Sequence, residues 1–266
     1  MKKISVIGPG QSSLEFTKKK EEEVMAFQAS FPYCYSLLNI IPDYWVSGDP
    51  NAYMGGFEFL LKEGKEEFKK IKILIPDVFC GSLEKYRKYC GTTPLMRAKN
   101  GWHAFQNLLK EVSREFKVIK IPVTTTKFIE LYETRSSDYR KIFNEELIRF
   151  MSEKIIFGTV KYDSESVIGD RFKWGLENKL SSVVLPVCFF LRAESVKIYG
   201  FDFRGPRFYS DIERHPWSDE TQEGKNIAEY PLSLVKKWLE WEGVHGMKII
   251  LGSKSPACLL NNIILS

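Results

Sequence analysis

The sequence predicts an α/β protein built on a doubly wound, mostly parallel, twisted sheet. Short runs rich in β-branched or aromatic residues recur along the chain, which is typical of strands buried on both faces. Segments with helical spacing separate several of these runs, and strands that alternate with helices favour a parallel sheet. The predicted strands lie within 4–8, 23–30, 43–49, 71–77, 117–123, 195–201 and 247–253.

Amphipathic helices are predicted where apolar residues recur every three or four positions, because that spacing places them on one helix face. The first such face comprises Trp102, Phe105, Leu108, Leu109, Val112 and Phe116. The second comprises Tyr139, Ile142, Phe143, Leu147, Phe150 and Met151. The third comprises Leu234, Val235, Trp238 and Leu239. Each of these helices is expected to cover one face of the sheet.

Length, charge and cysteine content exclude several classes of protein. A chain of 266 residues with 44% hydrophobic residues predicts a single domain spanning 1–266. The 39 basic and 34 acidic residues are interspersed, so we expect no nucleic-acid partner. No stretch reaches the ~18 apolar residues of a membrane span, so we expect no transmembrane segment. The five cysteines form no close CxxC pair, which indicates buried thiols in a reducing, cytoplasmic compartment.

The polar and aromatic segment 203–228 has no clear periodicity. Segments of this length inside a compact domain are typically functional loops. We predict that it forms a lid, inserted within the single domain. The sequence leaves the oligomeric state open.

The first predicted strand ends in a Gly-Pro-Gly turn at Gly8 and Gly10. Glycines at the carboxyl end of a parallel strand let a ligand approach main-chain N–H groups. The same glycines also suit a tight turn that binds nothing, and the sequence leaves both readings open. Ser12 and Glu15 have the spacing of a capping box, which predicts a helix starting near Ser13.

Other predicted strand and helix ends carry small or acidic residues. Asp49 and Asp202 each follow a predicted strand, and Asp49 either faces a ligand or caps its own turn. Ser181 and Ser182 stand at the start of an apolar helix, where they either cap it or bind an anion. Because ligands of open α/β sheets bind at the carboxyl ends of the strands, these residues predict one common crevice for a nucleotide. The domain would then be Rossmann-like.

Several short motifs, taken in order, resemble those of the bacterial sialyltransferases that use CMP-sialic acid and of the related 6-hydroxymethylpterin diphosphokinase-like group. The motifs are "VIGPGQSS", "FQAS", "PDYWVSGDP", "SSVVLPVCFFLRAESVKIYGFDF" and "MKIILGSKSPACLLNNIIL". They lie toward the two ends of the chain, and 55–175 matches no motif of the family. The resemblance implies that Gly8, Gly10 and Ser12 border the nucleotide phosphates or ribose, and that Ser30 lies near the base.

Further substrate-binding residues are implied by the same resemblance. Asp49 stands where the family keeps an asparagine that touches substrate, and Asp202 matches a strand-end aspartate. Ser181 and Ser182 fall near a Thr-Ser-Gly of the family that meets the nucleotide or the sugar carboxylate.

The residues for chemistry are predicted in the lid segment. The histidine that the family uses as general base has no counterpart before the last amphipathic helix, so His215 is the best candidate base, with Asp219 or Glu229 as substitutes. The sequence also leaves open that His215 is an exposed loop histidine. Arg204 replaces a family tyrosine, and with Arg207 and Arg214 it either neutralises a leaving phosphate or is surface charge on a polar loop. Tyr209 supplies a later hydroxyl that would face the phosphate.

These observations predict a glycosyltransferase that takes a nucleotide sugar, a CMP-sugar, and transfers it to a glycan or small-molecule acceptor. We expect that no cofactor is required. Mg²⁺ would bind only if the carboxylates of Asp49 and Asp202 converge on one ion. Two alternatives stay open. One is a pterin diphosphokinase-like phosphoryl transferase in which these two aspartates hold Mg²⁺. The other is a non-catalytic relative that binds a nucleotide or a protein partner.

Overall fold

A computed structural model describes the chain at residues 2–84, 99–121, 184–201, 208 and 247–252. Its strands are β1 (Lys2–Ile7), β2 (Glu22–Phe27), β3 (Tyr44–Val46), β4 (Lys72–Pro76), β5 (Lys117–Ile121), β6 (Ala193–Tyr199) and β7 (Lys248–Leu251). They form one seven-stranded sheet in the order β5-β4-β3-β2-β1-β6-β7. Every neighbouring pair is parallel.

The predicted α/β class and strand positions are confirmed. Each strand lies in or overlaps one of the β-branched or aromatic runs, and the described sheet is entirely parallel. The central strands are apolar on both faces because both faces are covered. In β1 the four residues from Ile4 to Ile7 are all buried, and in β2 so are the four from Val24 to Phe27. This burial is why the strands show as continuous apolar runs rather than as alternation.

The α-helices of the described ranges are α1 (Ser30–Ser36), α2 (Pro50–Glu63), α3 (Lys99–Glu115) and α4 (Leu185–Phe190). Helix α1 follows β2, α2 follows β3 and α3 precedes β5. The three form one layer in which α2 packs against both α1 and α3. The rings of Phe57 in α2 and Phe105 in α3 stack with centroids 6.1 Å apart. The predicted apolar face of α3 is confirmed, since Trp102, Phe105, Leu109 and Val112 are buried.

Trp45 of β3 lies at the centre of the core beneath this helix layer. Its ring centroid is 4.6 Å from that of Phe31 and 5.0 Å from that of Tyr53. Gly56 of α2 makes room for the indole, because a Cβ atom there would lie 2.1 Å from the Trp45 ring. The tryptophan therefore fixes how closely α2 approaches the sheet.

A polar cluster closes the amino edge of the sheet. The buried Tyr44 hydroxyl accepts a hydrogen bond from Lys2 Nζ at 2.8 Å and donates one to Glu23 at 3.1 Å. Lys2 and Glu23 also form an ion pair at 3.1 Å. At this edge, charges of both signs are thus paired with each other and with the phenol.

Two of the predicted helical faces, in 139–151 and 234–239, lie outside the described residues. So does the predicted lid 203–228, except for Phe208. Across the part of the chain that is described, no helix has the length and apolar character needed to cross a bilayer.

Candidate functional site

The carboxyl ends of all described strands lie at one edge of the sheet, because every pair is parallel. The chain proceeds from β1 through β2 to β5 on one side, and β6 and β7 lie on the other side of β1. The strand order therefore reverses between β1 and β6, the kind of position at which open α/β sheets bind ligands. The turns after Ile7, Val46 and Tyr199 share this edge, as the sequence predicted.

The Gly-Pro-Gly turn is packed against the end of β6. The Gly8 N–H donates to the Tyr199 carbonyl oxygen at 2.8 Å, and the Gly10 N–H donates to the Gly200 carbonyl oxygen at 2.7 Å. Gly200 has a φ of 71°, which favours glycine. Both amides of the turn are thus used within the protein. The prediction that Gly8 and Gly10 border a ligand stays a prediction, and it no longer rests on free N–H groups.

The serines that follow hold the same junction together. Ser12 Oγ accepts a hydrogen bond from the Gly200 N–H at 3.0 Å, and Ser13 Oγ donates to the Gly8 carbonyl oxygen at 2.8 Å. The predicted capping box is wrong. Residues Gln11–Glu15 form one short 3-10 helix without a side-chain cap, since both hydroxyls are committed to the glycine turns.

Ser30 joins the ends of β1 and β2. Its fully buried hydroxyl accepts from the Phe27 N–H at 3.0 Å. It shares its proton between the carbonyl oxygens of Ile7 and Phe27, at 2.9 and 2.6 Å. The structure therefore gives Ser30 a positioning role at this edge, and its predicted place near a base stays a prediction.

Gln28 is a polar residue of this edge that the sequence reasoning missed. It follows β2 with a φ of 56°, a left-handed conformation that is uncommon outside glycine. Its N–H donates to the Val46 carbonyl oxygen and its own carbonyl oxygen accepts from the Trp45 indole, both at 2.9 Å. The residue is only 7% exposed, and among the described residues its side-chain amide has no hydrogen bond. A polar residue directly after an apolar strand was the available signal in the sequence.

Asp49 follows β3 and caps α2. Its Oδ1 accepts from the Asn51 N–H at 2.9 Å, and Pro50 occupies the first helical position. This geometry confirms that the aspartate caps its own turn. Within the described ranges no hydrogen bond or ion pair reaches Oδ2, and the side chain is half-buried. The capping role therefore leaves a second carboxylate oxygen for a ligand.

Aromatic residues pack around the carboxyl ends of β1 and β2 at this edge. The Phe201 ring, after β6, stacks on Phe27 with centroids 5.4 Å apart. Phe208 of the predicted lid segment is buried, and its N–H donates to the Pro9 carbonyl oxygen at 3.0 Å. Its ring also meets that of Tyr33 in α1 edge-on at 6.4 Å. One residue of 203–228 thus lies directly against the first turn.

The remaining predicted site residues lie outside the described ranges, so their roles stay predictions. They are Ser181, Ser182, Asp202, Arg204, Tyr209 and His215. Among the described residues, no group of three histidine, cysteine, aspartate or glutamate side chains is arranged to hold a metal ion.

The fold and the edge geometry together define a parallel α/β protein with a polar carboxyl edge centred on β1, β2 and β3. Comparison with protein-family models, curated proteins and solved structures gave no match for this chain.

Proposed function

We propose that this chain is a glycosyltransferase that takes its sugar from a nucleotide donor of the CMP-sugar class. The observation that carries the proposal is the shared carboxyl edge. Gly8 and Gly10 follow β1, Ser30 follows β2 and Asp49 follows β3, and these three strands are adjacent and parallel. The motif positions that resemble the sialyltransferases therefore lie side by side at the carboxyl ends of adjacent strands, the edge at which open α/β sheets bind ligands.

The nucleotide is assigned to the β1–β3 part of this edge rather than to the junction of β1 and β6. The hydrogen bonds between the Gly8 turn and Gly200 fill that junction with backbone. Side chains whose polar atoms lack hydrogen bonds among the described residues lie further along the carboxyl edge, at Gln28 and Asp49. A ribose or a base offers donors and acceptors that suit an amide and a carboxylate.

The transfer itself needs a base and a stabilised leaving group. The acceptor hydroxyl oxygen attacks the anomeric carbon while the bond from that carbon to the phosphate oxygen breaks, and its electron pair leaves with CMP. The acceptor proton passes to the base, which we assign to His215. Arg204 and Tyr209 are assigned to the departing phosphate. These three assignments follow from the sequence alone.

A second candidate is a metal-dependent phosphoryl transferase, and Asp49 is the residue that favours it. The sialyltransferase-like motif keeps an asparagine at this position, whereas a carboxylate oxygen is a preferred ligand of Mg²⁺. The uncommitted Oδ2 of Asp49 would be one such ligand, with Asp202 as its predicted partner.

Thermal unfolding with CMP, and with ATP and Mg²⁺, separates the two candidates, because a ligand that binds only the native state must stabilise it. At about a hundredfold excess over Kd, the stabilisation of ~2.7 kcal/mol corresponds to a rise in Tm on the order of 5–10 °C. We expect this rise with CMP. A rise only with ATP and Mg²⁺ supports the phosphoryl transferase, and no rise with either contradicts both enzymes.

Asp49→Asn is the matched variant for this experiment. Asparagine caps a helix about as well as aspartate, so the variant should keep the stability of the unliganded protein. The glycosyltransferase predicts that the CMP shift is retained, since an amide oxygen at position 49 still accepts a hydrogen bond from a ribose or a base. The phosphoryl transferase predicts that the Mg²⁺-dependent shift disappears. Release of CMP from CMP-sialic acid then tests the chemistry directly.

A further inference from the structure

Tyr53 connects the end of β3 to the middle of β4 through one hydroxyl group. It lies in the first turns of α2 and is fully buried. Its hydroxyl accepts a hydrogen bond from the Ser47 N–H, directly after β3, at 2.8 Å. The same hydroxyl donates a hydrogen bond to the carbonyl oxygen of Leu74 in β4. The Tyr53 hydroxyl therefore both accepts and donates a hydrogen bond within the protein.

The hydrogen-bond chain continues from Ser47 into the Asp49 turn. Ser47 is fully buried, and its Oγ accepts from the Asp49 N–H at 2.9 Å and donates to the Asp49 carbonyl oxygen at 3.1 Å. The Asp49 carboxylate in turn accepts from Asn51. The position of the aspartate is thus set through Ser47, and that of Ser47 through Tyr53.

One acceptor at the end of this chain is unsatisfied. Asn51 Oδ1 is buried, and among the described residues it has no hydrogen-bond partner. A buried polar atom without a partner is uncommon in native proteins and calls for a donor from water or a ligand. In the described residues of the Asp49 turn, the protein's own groups therefore leave a buried acceptor unfilled.

Tyr53 is suited to a fixed role rather than a titrating one. Burial raises its pKa well above the ordinary value for a phenol, so the hydroxyl keeps its proton through the neutral range. It consequently remains donor to Leu74 and acceptor from Ser47 at any working pH.

We propose that Tyr53 is the positioning residue of the nucleotide site, and that its hydroxyl fixes the Asp49 turn in the geometry that binds the ligand. This inference rests on the proposed function. It predicts that loss of the hydroxyl alone, with the ring retained, loosens the Asp49 turn and weakens nucleotide binding.

The test compares Tyr53→Phe with Tyr44→Phe. Both tyrosines are buried and both hydroxyls are hydrogen-bonded, but Tyr44 lies at the opposite end of β3, where it meets Lys2 and Glu23. In the ligand-free protein we expect Tyr53→Phe to raise hydrogen exchange at the Ser47 and Asp49 amides by at least about tenfold, as loss of one buried hydrogen bond implies. We expect the Kd for CMP to rise by a similar factor. Tyr44→Phe should change both quantities less than about twofold, whatever it does to Tm.

The two readouts separate the failure of this inference from that of the proposed function. Unchanged exchange at Ser47 and Asp49 in Tyr53→Phe overturns the inference, and so does faster exchange with an unchanged Kd. A wild-type protein that binds no nucleotide overturns the proposed function, and the exchange readout then still decides whether Tyr53 holds the turn. If Tyr53→Phe does not fold, Ser47→Ala breaks the next link and should raise exchange at Asp49 in the same way.

Discussion

Gly8 and Gly200 meet so closely at the ends of β1 and β6 that a Cβ atom on Gly8 would lie 2.6 Å from the Gly200 carbonyl oxygen. A Cβ atom on Gly200 would lie 2.0 Å from Ser13 Oγ. Gly8 of the first turn and Gly200 after β6 are thus explained by contact between two backbones. Since no side chain fits between them, this junction fixes the site edge next to the reversal of strand order.

Alanine at either glycine should therefore destabilise the protein. For Gly200→Ala we expect a loss of roughly 2–4 kcal/mol, which combines the clash with the cost of a left-handed φ. Gly64→Ala is the matched control, because Gly64 has a φ of 55° but no atom within 4 Å of its added Cβ. It should cost only about 1 kcal/mol. Urea unfolding measures both, and equal losses would contradict the close packing of β1 and β6.

Substitution of the adjacent glycines Gly55 and Gly56 of α2 by alanine should have opposite effects on stability. A Cβ on Gly56 would meet the Trp45 ring at 2.1 Å, whereas a Cβ on exposed Gly55 would meet nothing within 4 Å. Gly55→Ala should stabilise the protein by about 0.5–1 kcal/mol through helix propensity. Gly56→Ala should destabilise it by about 1–3 kcal/mol through overpacking. Chemical denaturation of the two variants checks the register of α2 on the sheet. If both substitutions changed the free energy of unfolding in the same direction, that register would be refuted.

Cys34 predicts a loss of stability in alkali. Burial raises the pKa of its thiol to about 12 from an ordinary 9.0, although a hydrogen bond with Ser30 opposes the shift. The pKa of the Cys34 thiol is higher in the folded than in the unfolded protein. The stabilisation that the buried thiol contributes is therefore complete below pH 9.0 and is lost as the pH rises toward 12. The unfolding free energy should fall by up to about 1.4 kcal/mol per pH unit in this window through Cys34 alone.

The contribution of Cys34 is isolated by comparing the wild type with Cys34→Ala between pH 8 and about 10.5. Other titrating groups, including Tyr53, contribute to both proteins and cancel in the difference. The destabilisation caused by the substitution should shrink as the pH rises. A difference that stays constant with pH would mean that the thiol is not buried in the folded protein.

The strand positions were predictable because the burial of each strand is reflected in its own local sequence. β1, β2 and β4 each end in consecutive buried residues, so the sequence shows unbroken apolar runs. The same holds for α3, where Trp102, Phe105 and Val112 recur at helical spacing. Local pattern therefore sufficed wherever a segment buries its own side chains against the sheet.

The details of the site depend on contacts that are distant in sequence and so were not predictable. The partner of Ser12 Oγ is the Gly200 N–H, 188 positions away, and this bond replaces the expected helix cap. The left-handed backbone of Gln28 depends on its contacts with Val46 and Trp45 of the neighbouring strand. Asp49 is the exception. Its capping role was one of the two readings of the local sequence, because the partner Asn51 is only two residues away.

Amide chemical-shift mapping during a titration with CMP tests the central claim most directly. The proposed function predicts that the largest shifts fall in residues 8–12, 28–30 and 47–51, the turns after β1, β2 and β3. Little change should occur at Lys2, Tyr44 and Lys72, on the amino edge of the same sheet. Shifts centred on that amino edge, or no shifts at saturating CMP, would contradict a nucleotide site at the carboxyl ends of these strands.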